Sequence, residues 1–140
     1  MRLTVFLLHE KALSLLKGQT ALVTGANSGI GRAIAVSLGR AGANVVVNYV
    51  VKPEEAEAVV GEIQGGGGHA TAIRADVGDE AQVVAMFAEA VKAFGTVDIL
   101  VSNAGMERNA PFHEMTTAQW DAVMNVNLRG AFLCAREAVR

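Results

Sequence analysis

The chain has 140 residues, 51% of them hydrophobic and 19% charged, which supplies one domain with a real core and is too apolar for a disordered segment. A formal charge of −2 and a pI near 5.9 leave no basic stripe, which argues against nucleic acid or an anionic membrane as partner. Composition therefore points to small-molecule work in water.

The chain opens on Met1-Arg2-Leu3-Thr4-Val5-Phe6-Leu7-Leu8, one Arg and a short apolar run with a faint likeness to a signal peptide. His9-Glu10-Lys11 ends that run early and no small-residue cleavage pattern follows. Residues 1–15 are read as an N-terminal extension and 16–140 as the folded unit. No run approaches transmembrane length. Cys134 is the only cysteine, so an intramolecular disulfide is excluded and a reducing, cytoplasmic location is expected.

Strand-like and helix-like segments then alternate. The pattern predicts a strand over Thr20–Thr24, a helix over Ile30–Ala41, a strand over Asn44–Tyr49 and a helix over Glu54–Gln64. It continues with a strand over His69–Ala75, a helix over Asp79–Phe94, a strand over Val97–Ser102 and one long helix over Thr117–Arg140. Boundaries have local chemistry behind them. Pro53 suits a first helical turn, with Glu54 and Glu55 at its positive end; Asp79 and Glu80 do the same for the next helix. Thr116 and Gln119 have capping-box spacing, and Gly65-Gly66-Gly67-Gly68 suits a helix end and a flexible connection. The alternation implies α/β architecture: a parallel sheet with right-handed crossovers and helices on both faces. The apolar runs Val45-Val46-Val47 and Ile99-Leu100-Val101 suit two-sided burial.

Between the first strand and helix lies Thr24-Gly25-Ala26-Asn27-Ser28-Gly29-Ile30-Gly31. Glycine is 15 of the 140 residues, so three of them in a pattern carry little weight alone. The placement carries more: the glycines follow a strand and open a helix in which Ile30, Ile34 and Leu38 recur every four residues. Without Cβ atoms, Gly25, Gly29 and Gly31 let the chain turn sharply, bring N–H groups against a pyrophosphate and pack helix on strand. An anion would then face the helix start. The plainer reading is an ordinary strand-to-helix turn.

Farther on, Trp120, Met124, Asn127, Ala131, Ala135 and Ala138 fall on one stripe of the last helix, placing the Asn127 amide on the apolar side, where it needs partners. A neighbouring backbone could supply them. Asn125, on another face, reads as solvated surface. No metal site is expected: His9, His69 and His113 are scattered, and Thr117 stands where a zinc-binding helix beginning at His113-Glu114 would need its second His. No Gly-Lys-Ser/Thr follows the glycines, which excludes a Walker phosphate loop.

Together with Ser102-Asn103-Ala104-Gly105, these features resemble the short-chain dehydrogenase/reductase family. Its cofactor motif Thr-Gly-x-x-x-Gly-x-Gly is matched from Thr24 to Gly31, and its Asn-Asn-Ala-Gly motif at residues 102–105, with Ser102 replacing the first Asn. The likeness runs from about Leu16 onward. It implies a Rossmann-type doubly wound parallel sheet, present here as its first four strands. By position, Gly25, Ser28, Gly29, Ile30 and Gly31 would line the pyrophosphate and adjoining ribose, and Asp76 and Val77 would meet the adenine edge. Asn103, Ala104 and Gly105 would border the nicotinamide. Asp76 also suits a helix start, and the two roles are compatible. Asn127, in the Val126-Asn127-Leu128 context, would belong to the catalytic tetrad and help hold a proton-relay water.

Cofactor choice rests on the end of the second strand, where NAD-specific folds place an acidic residue on the ribose. Here Asn48-Tyr49-Val50 offers no carboxylate to repel a 2′-phosphate, and Asn48 could hydrogen-bond a 2′-hydroxyl. Dual use of NADP and NAD with some NADP preference is expected, although Val50 departs from the basic residue that would hold the phosphate. Lys52 is a further candidate for it. Val45 to Tyr49, Asn103 to Glu107, His113-Glu114-Met115 and Gly130 to Leu133 followed by Arg136-Glu137-Ala138 resemble the glucose 1-dehydrogenase subfamily. That likeness implies oxidation of a sugar at its anomeric carbon, within a broader class of alcohol, sugar or carbonyl substrates. A full-length relative would be a homo-oligomer, a tetramer.

The family's chemistry also needs a Ser and a Tyr with a Lys four residues beyond it. Tyr49 is the only tyrosine and Pro53 follows at that spacing, so these groups are expected past residue 140 and the chain alone is expected to be inactive. A fourth strand without a fifth, and a final helix exposing part of its stripe, imply weak stability or association. The alternatives are a non-catalytic dinucleotide-binding module and a 3-oxoacyl-thioester reductase of the same family. A methyltransferase is disfavoured by the missing acidic residue.

Overall fold

The computed structural model describes residues 15–140; the reading of residues 1–14 as part of an extension lies outside the described residues. The strands are β1 (Thr20–Val23), β2 (Asn44–Tyr49), β3 (His69–Arg74) and β4 (Ile99–Val101), all parallel and ordered β3-β2-β1-β4. The helices are α1 (Gly29–Arg40), α2 (Pro53–Gly65), α3 (Glu80–Phe94), α4 (Thr117–Met124) and α5 (Ala131–Ala138), with a π-helical turn, Asn125–Gly130, joining the last two.

Side chains alternate across β1 and β2 and divide the core in two. Ala21, Val23, Val45 and Val47 pack with Ala35 and Val36 of α1 and Val59 and Ile63 of α2. Leu22 and Val46 point the other way, against Val83, Met86 and Phe87 of α3 and Leu133 and Cys134 of α5. Right-handed crossovers explain the division: two run outward from β1 through β3, and the third returns over the opposite face to set β4 on the other side of β1. The order reverses between β1 and β4, so a crevice opens at their carboxyl ends.

Helix starts follow the expected chemistry. The Asp79 side chain accepts the Gln82 N–H and caps α3, Pro53 begins α2, and Thr116 and Gln119 form a reciprocal capping box at α4. The Asp79 carboxyl is held below its ordinary value by hydrogen bonds from the Gln82 backbone and side chain.

Three expectations are corrected. The helix predicted over Thr117–Arg140 is interrupted, because the wider π turn shifts every later side chain around the axis. The expected stripe therefore breaks, with Asn127 and Ala135 exposed and Leu133 and Cys134 buried; Trp120, upstream of the π turn, is also 53% exposed. Ile30 is 75% exposed at the first turn of α1, whose buried positions are Gly31, Ala35, Val36 and Gly39. Strand β4 stops at Val101, because the next backbone groups turn toward Thr24.

Truncating fully buried Leu22 to Ala is expected to cost about 2–5 kcal/mol in a urea titration. Burial also raises the Cys134 thiol to about 11, so a thiol reagent at pH 8 is expected to spare the native chain and label it only in denaturant. The unfolded thiol ionises from about pH 9 and the folded one not until about 11, so the unfolded state binds fewer protons in that window and stability falls as pH rises through it. Removing the thiol in Cys134→Ala is expected to flatten that part of the decline.

Candidate functional site

The crevice is closed at its base by a clasp between the ends of β1 and β4. Thr24, 1% exposed, accepts the N–H groups of Asn103 and Ala104 on its Oγ1, each at 2.9 Å, and donates that hydroxyl to the Val101 carbonyl at 3.3 Å. Asn103 Nδ2 donates to the carbonyls of Thr24 at 2.9 Å and Gly25 at 3.1 Å. Polar groups that two strand ends would leave unpaired thus satisfy one another.

Gly25 and Gly29 have φ of +60° and +55°, a left-handed conformation that suits glycine. A Cβ on Gly31 would collide with the Gly25 carbonyl and with Asn103 Nδ2, so α1 approaches the clasp as closely as it does only with glycine there. Nothing stands within 4 Å of a Cβ built on Gly29, which faces open space.

Ser28, in extended conformation before α1, makes no side-chain cap, and no acidic residue lies in the first turn. Among the described residues, every other helix that begins after a loop has a cap or an acidic first turn. The start of α1 therefore presents the backbone dipole of Gly29, Ile30 and Gly31 with neither a side-chain cap nor an acidic residue in its own first turn, a setting that favours an anion.

Asn48 is placed differently from expectation. It is 1% exposed; its Oδ1 accepts the Gly25 N–H at 3.2 Å and its Nδ2 donates to the carbonyls of Ile73 at 3.3 Å and Ala75 at 3.0 Å. Both amide ends are engaged inside the protein, so Asn48 is a strut between β1, β2 and β3, and its expected bond to a 2′-hydroxyl gives way to that role. Beyond it, Lys52 adopts φ of +60° and its Nζ lies 2.6 Å from Glu55, whose carboxylate raises the Lys52 pKa. The cationic group nearest the Val50 backbone is instead Arg74, whose Nε donates to the Val50 carbonyl at 3.0 Å. Sequence reading missed it, although pairing of β2 with β3 sets Tyr49 opposite Arg74.

At the crevice's far end, Asp76 Oδ1 accepts the Gly78 N–H at 2.9 Å, forming a tight turn. Asp79 caps α3, so the alternative role of Asp76 as its cap does not hold. The Val77 side chain is buried in the core beside α3. Across the crevice, Asn127 Oδ1 accepts the Met106 N–H at 2.8 Å and Nδ2 donates to the Met106 carbonyl at 3.0 Å. Asn127 lies near Gly105, with a Cβ built there 3.5 Å from its Oδ1. A backbone partner is what the sequence allowed; the burial it implied for the amide does not hold, since Asn127 is exposed. Asn125 is half-buried against Gly78, not solvated.

Gly25, Gly31, Asn103 and Ala104 are thus in one clasp, Ser28, Gly29 and Ile30 on its rim, and Asp76 and Val77 on one side, Gly105 and Asn127 on the other. Among the described residues, no group of three or more His, Cys, Asp or Glu comes together, and no helix is long and apolar enough to cross a membrane.

Residues 19–140 match the family described as short chain dehydrogenase. Versicolorin reductase 1 of Aspergillus parasiticus is 50% identical over 125 residues, 89% of this chain and 48% of that protein. A dehydrogenase/reductase of Sinorhizobium meliloti 1021 superposes with a TM-score of 0.89 at 46% identity, covering 96% of this chain and 53% of the other. A short chain dehydrogenase of Burkholderia cenocepacia J2315, solved in complex with NADP, gives 0.88 at 41% identity, covering 91% and 52%. The chain spans about half the length of the curated relatives it matches.

Two glycine substitutions separate the clasp from ordinary helix. Gly31→Ala is expected to destabilise the chain, because the gain in helix propensity is outweighed by collision with a backbone carbonyl. Gly61→Ala, in α2 with nothing within 4 Å of the added Cβ, is expected to stabilise it by about 0.5–1 kcal/mol. Denaturant midpoints shifting in opposite directions would be the expected result.

Proposed function

Because the chain belongs to the short chain dehydrogenase family, we propose that it is the dinucleotide-binding part of an NAD(P)-dependent oxidoreductase, acting between a nicotinamide and a small alcohol, sugar or carbonyl compound. The observation that carries this reading is the start of α1: a helix end without cap or carboxylate, reached through left-handed glycines and pressed against the β1–β4 clasp. That cradle fits a pyrophosphate.

In this reading Gly25, Ser28, Gly29, Ile30 and Gly31 surround the pyrophosphate and adjoining ribose. Asp76 and the Val77 backbone border the adenine, and Asn103, Ala104 and Gly105 the nicotinamide side. When bound, the nicotinamide supplies or accepts hydride. Asn127 acts by holding Met106, and so fixes the segment that follows the nicotinamide side.

Use of both cofactors with NADP preferred is supported by the absence of a carboxylate at Tyr49 to Val51, by Arg74 beside Val50, and by the NADP complex of the Burkholderia relative. The finer substrate reading, glucose or a related sugar oxidised at C1, rests on the subfamily features in the sequence. Similarity to the relative called versicolorin reductase 1 supports the reducing direction for this chain. A homo-oligomeric whole is supported by exposed Trp120, Leu128 and Phe132 on the α4–α5 side. The sole, buried cysteine suits the cytoplasm.

Calorimetric titration is expected to show NADP binding, with NAD weaker or comparable; preference for NAD by about a hundredfold would overturn the cofactor assignment. Ile30→Glu, at an exposed position, is expected to weaken binding about tenfold through charge repulsion while leaving the unfolding midpoint in place. Mixed with NADP and glucose, or with a 3-oxoacyl thioester and NADPH, the 140 residues alone are expected to give no turnover, since Tyr49 lacks a Lys four residues on.

A further inference from the structure

The loop Asp76–Asp79 and the π turn Asn125–Gly130 meet through two glycines, one from each side. A Cβ on Gly78 would land on Asn125 Nδ2, and one on Gly130 would come within 2.7 Å of Val77 Cγ2. Each backbone is bare where the other's side chain needs room. Across this contact, Arg129 Nη1 donates to the Gly78 carbonyl at 2.7 Å and to Asn125 Oδ1 at 3.1 Å. Within the loop, the Asp76 N–H donates to Gln82 Oε1 at 2.9 Å, and Gln82 Nε2 donates to Asp79 Oδ2 at 3.0 Å. The loop is therefore internally braced, and Arg129 is its charged tie to the π turn.

Two residues before Arg129, Asn127 holds the N–H and C=O of Met106. One turn of chain thus grips a segment at each end of the crevice. We propose that Arg129 is a positioning residue that ties the Asp76–Asp79 loop to the segment after β4, so that the two ends of a bound dinucleotide meet protein at a fixed spacing. This rests on the dinucleotide reading. Arg129 is exposed as a residue and its bond to the Gly78 carbonyl is only part-buried, so these hydrogen bonds add modestly to global stability and act on where the loop sits. A hydrogen bond from a charged donor to a carbonyl is strong enough for that task.

The test compares the unsubstituted chain with Arg129→Ala and Arg129→Gln, measuring ADP affinity by calorimetry and amide exchange by mass spectrometry. Loss of the charged donor is expected to weaken ADP binding about tenfold. Exchange is expected to quicken at both Val77–Asp79 and Met106, with the strands β1 and β2 unchanged. Arg129→Gln keeps most of the side-chain length and spares packing, so it gives the same reading if the alanine variant unfolds. ADP affinity within twofold of the original in Arg129→Gln overturns the proposal. So does faster exchange in the loop with Met106 unmoved, or faster exchange throughout the sheet, which marks a general structural role. Failure of the unsubstituted chain to bind NADP, NAD or ADP overturns the dinucleotide reading itself and is seen before any substitution is made.

Discussion

The approach of α1 to the β1–β4 clasp is the constraint on which the site depends. A parallel sheet whose strand order reverses leaves two strand ends diverging, and their backbone groups must find partners where no neighbouring strand supplies them. Here Thr24 and Asn103 fill that role reciprocally. The solution leaves no room for a Cβ on Gly31, and it draws the helix start to the mouth of the crevice. The same closeness that satisfies the fold brings the helix's positive end where a ligand can meet it.

The contrast among helix ends shows that the open start of α1 is a local choice. Elsewhere the chain completes its helices by ordinary means: Asp79 for α3, the Thr116–Gln119 box for α4, and Pro53 with Glu54 and Glu55 for α2. Among the described helices, only α1 begins with a Ser that caps nothing and a large apolar residue turned to solvent. Departures of this kind from local consistency mark sites whose completion comes from outside the chain.

Much of this was legible because strands and single-period helices write their burial directly into the sequence. The run Val45-Val46-Val47 announced a strand covered on both faces, and Asn44–Tyr49 is where β2 begins and ends. The glycine pattern announced a close approach, although not that Asn103 was the group approached. What the sequence hid came from geometry with no period. The π turn adds width to one helical turn without a residue type that marks it, and the stripe extrapolated through it misplaced Asn127 and Ala135. Asn48 was misread for a different reason: alternation gives the face of a strand residue, and only the third strand's position reveals that its amide is enclosed by carbonyls of Ile73 and Ala75.

That enclosure bears on how the cofactor end of the crevice is specified. Asn48 fixes three strand ends at once, holding the Gly25 N–H with its oxygen and the exit of β3 with its nitrogen. An Asp there would lack donors for those carbonyls and would place a charge in the core, so an acidic residue at this position is disfavoured by the fold before any ligand is considered. In the proposed dinucleotide reading, discrimination between ribose and phosphate would fall to the exposed residues beyond, where Val50 and Val51 offer no charge and Lys52 is paired with Glu55. The neighbouring strand supplies Arg74 at the Val50 backbone because register sets it opposite Tyr49. A buried amide thus keeps the sheet edges aligned, and that alignment decides which surface charge stands beside the second strand's exit.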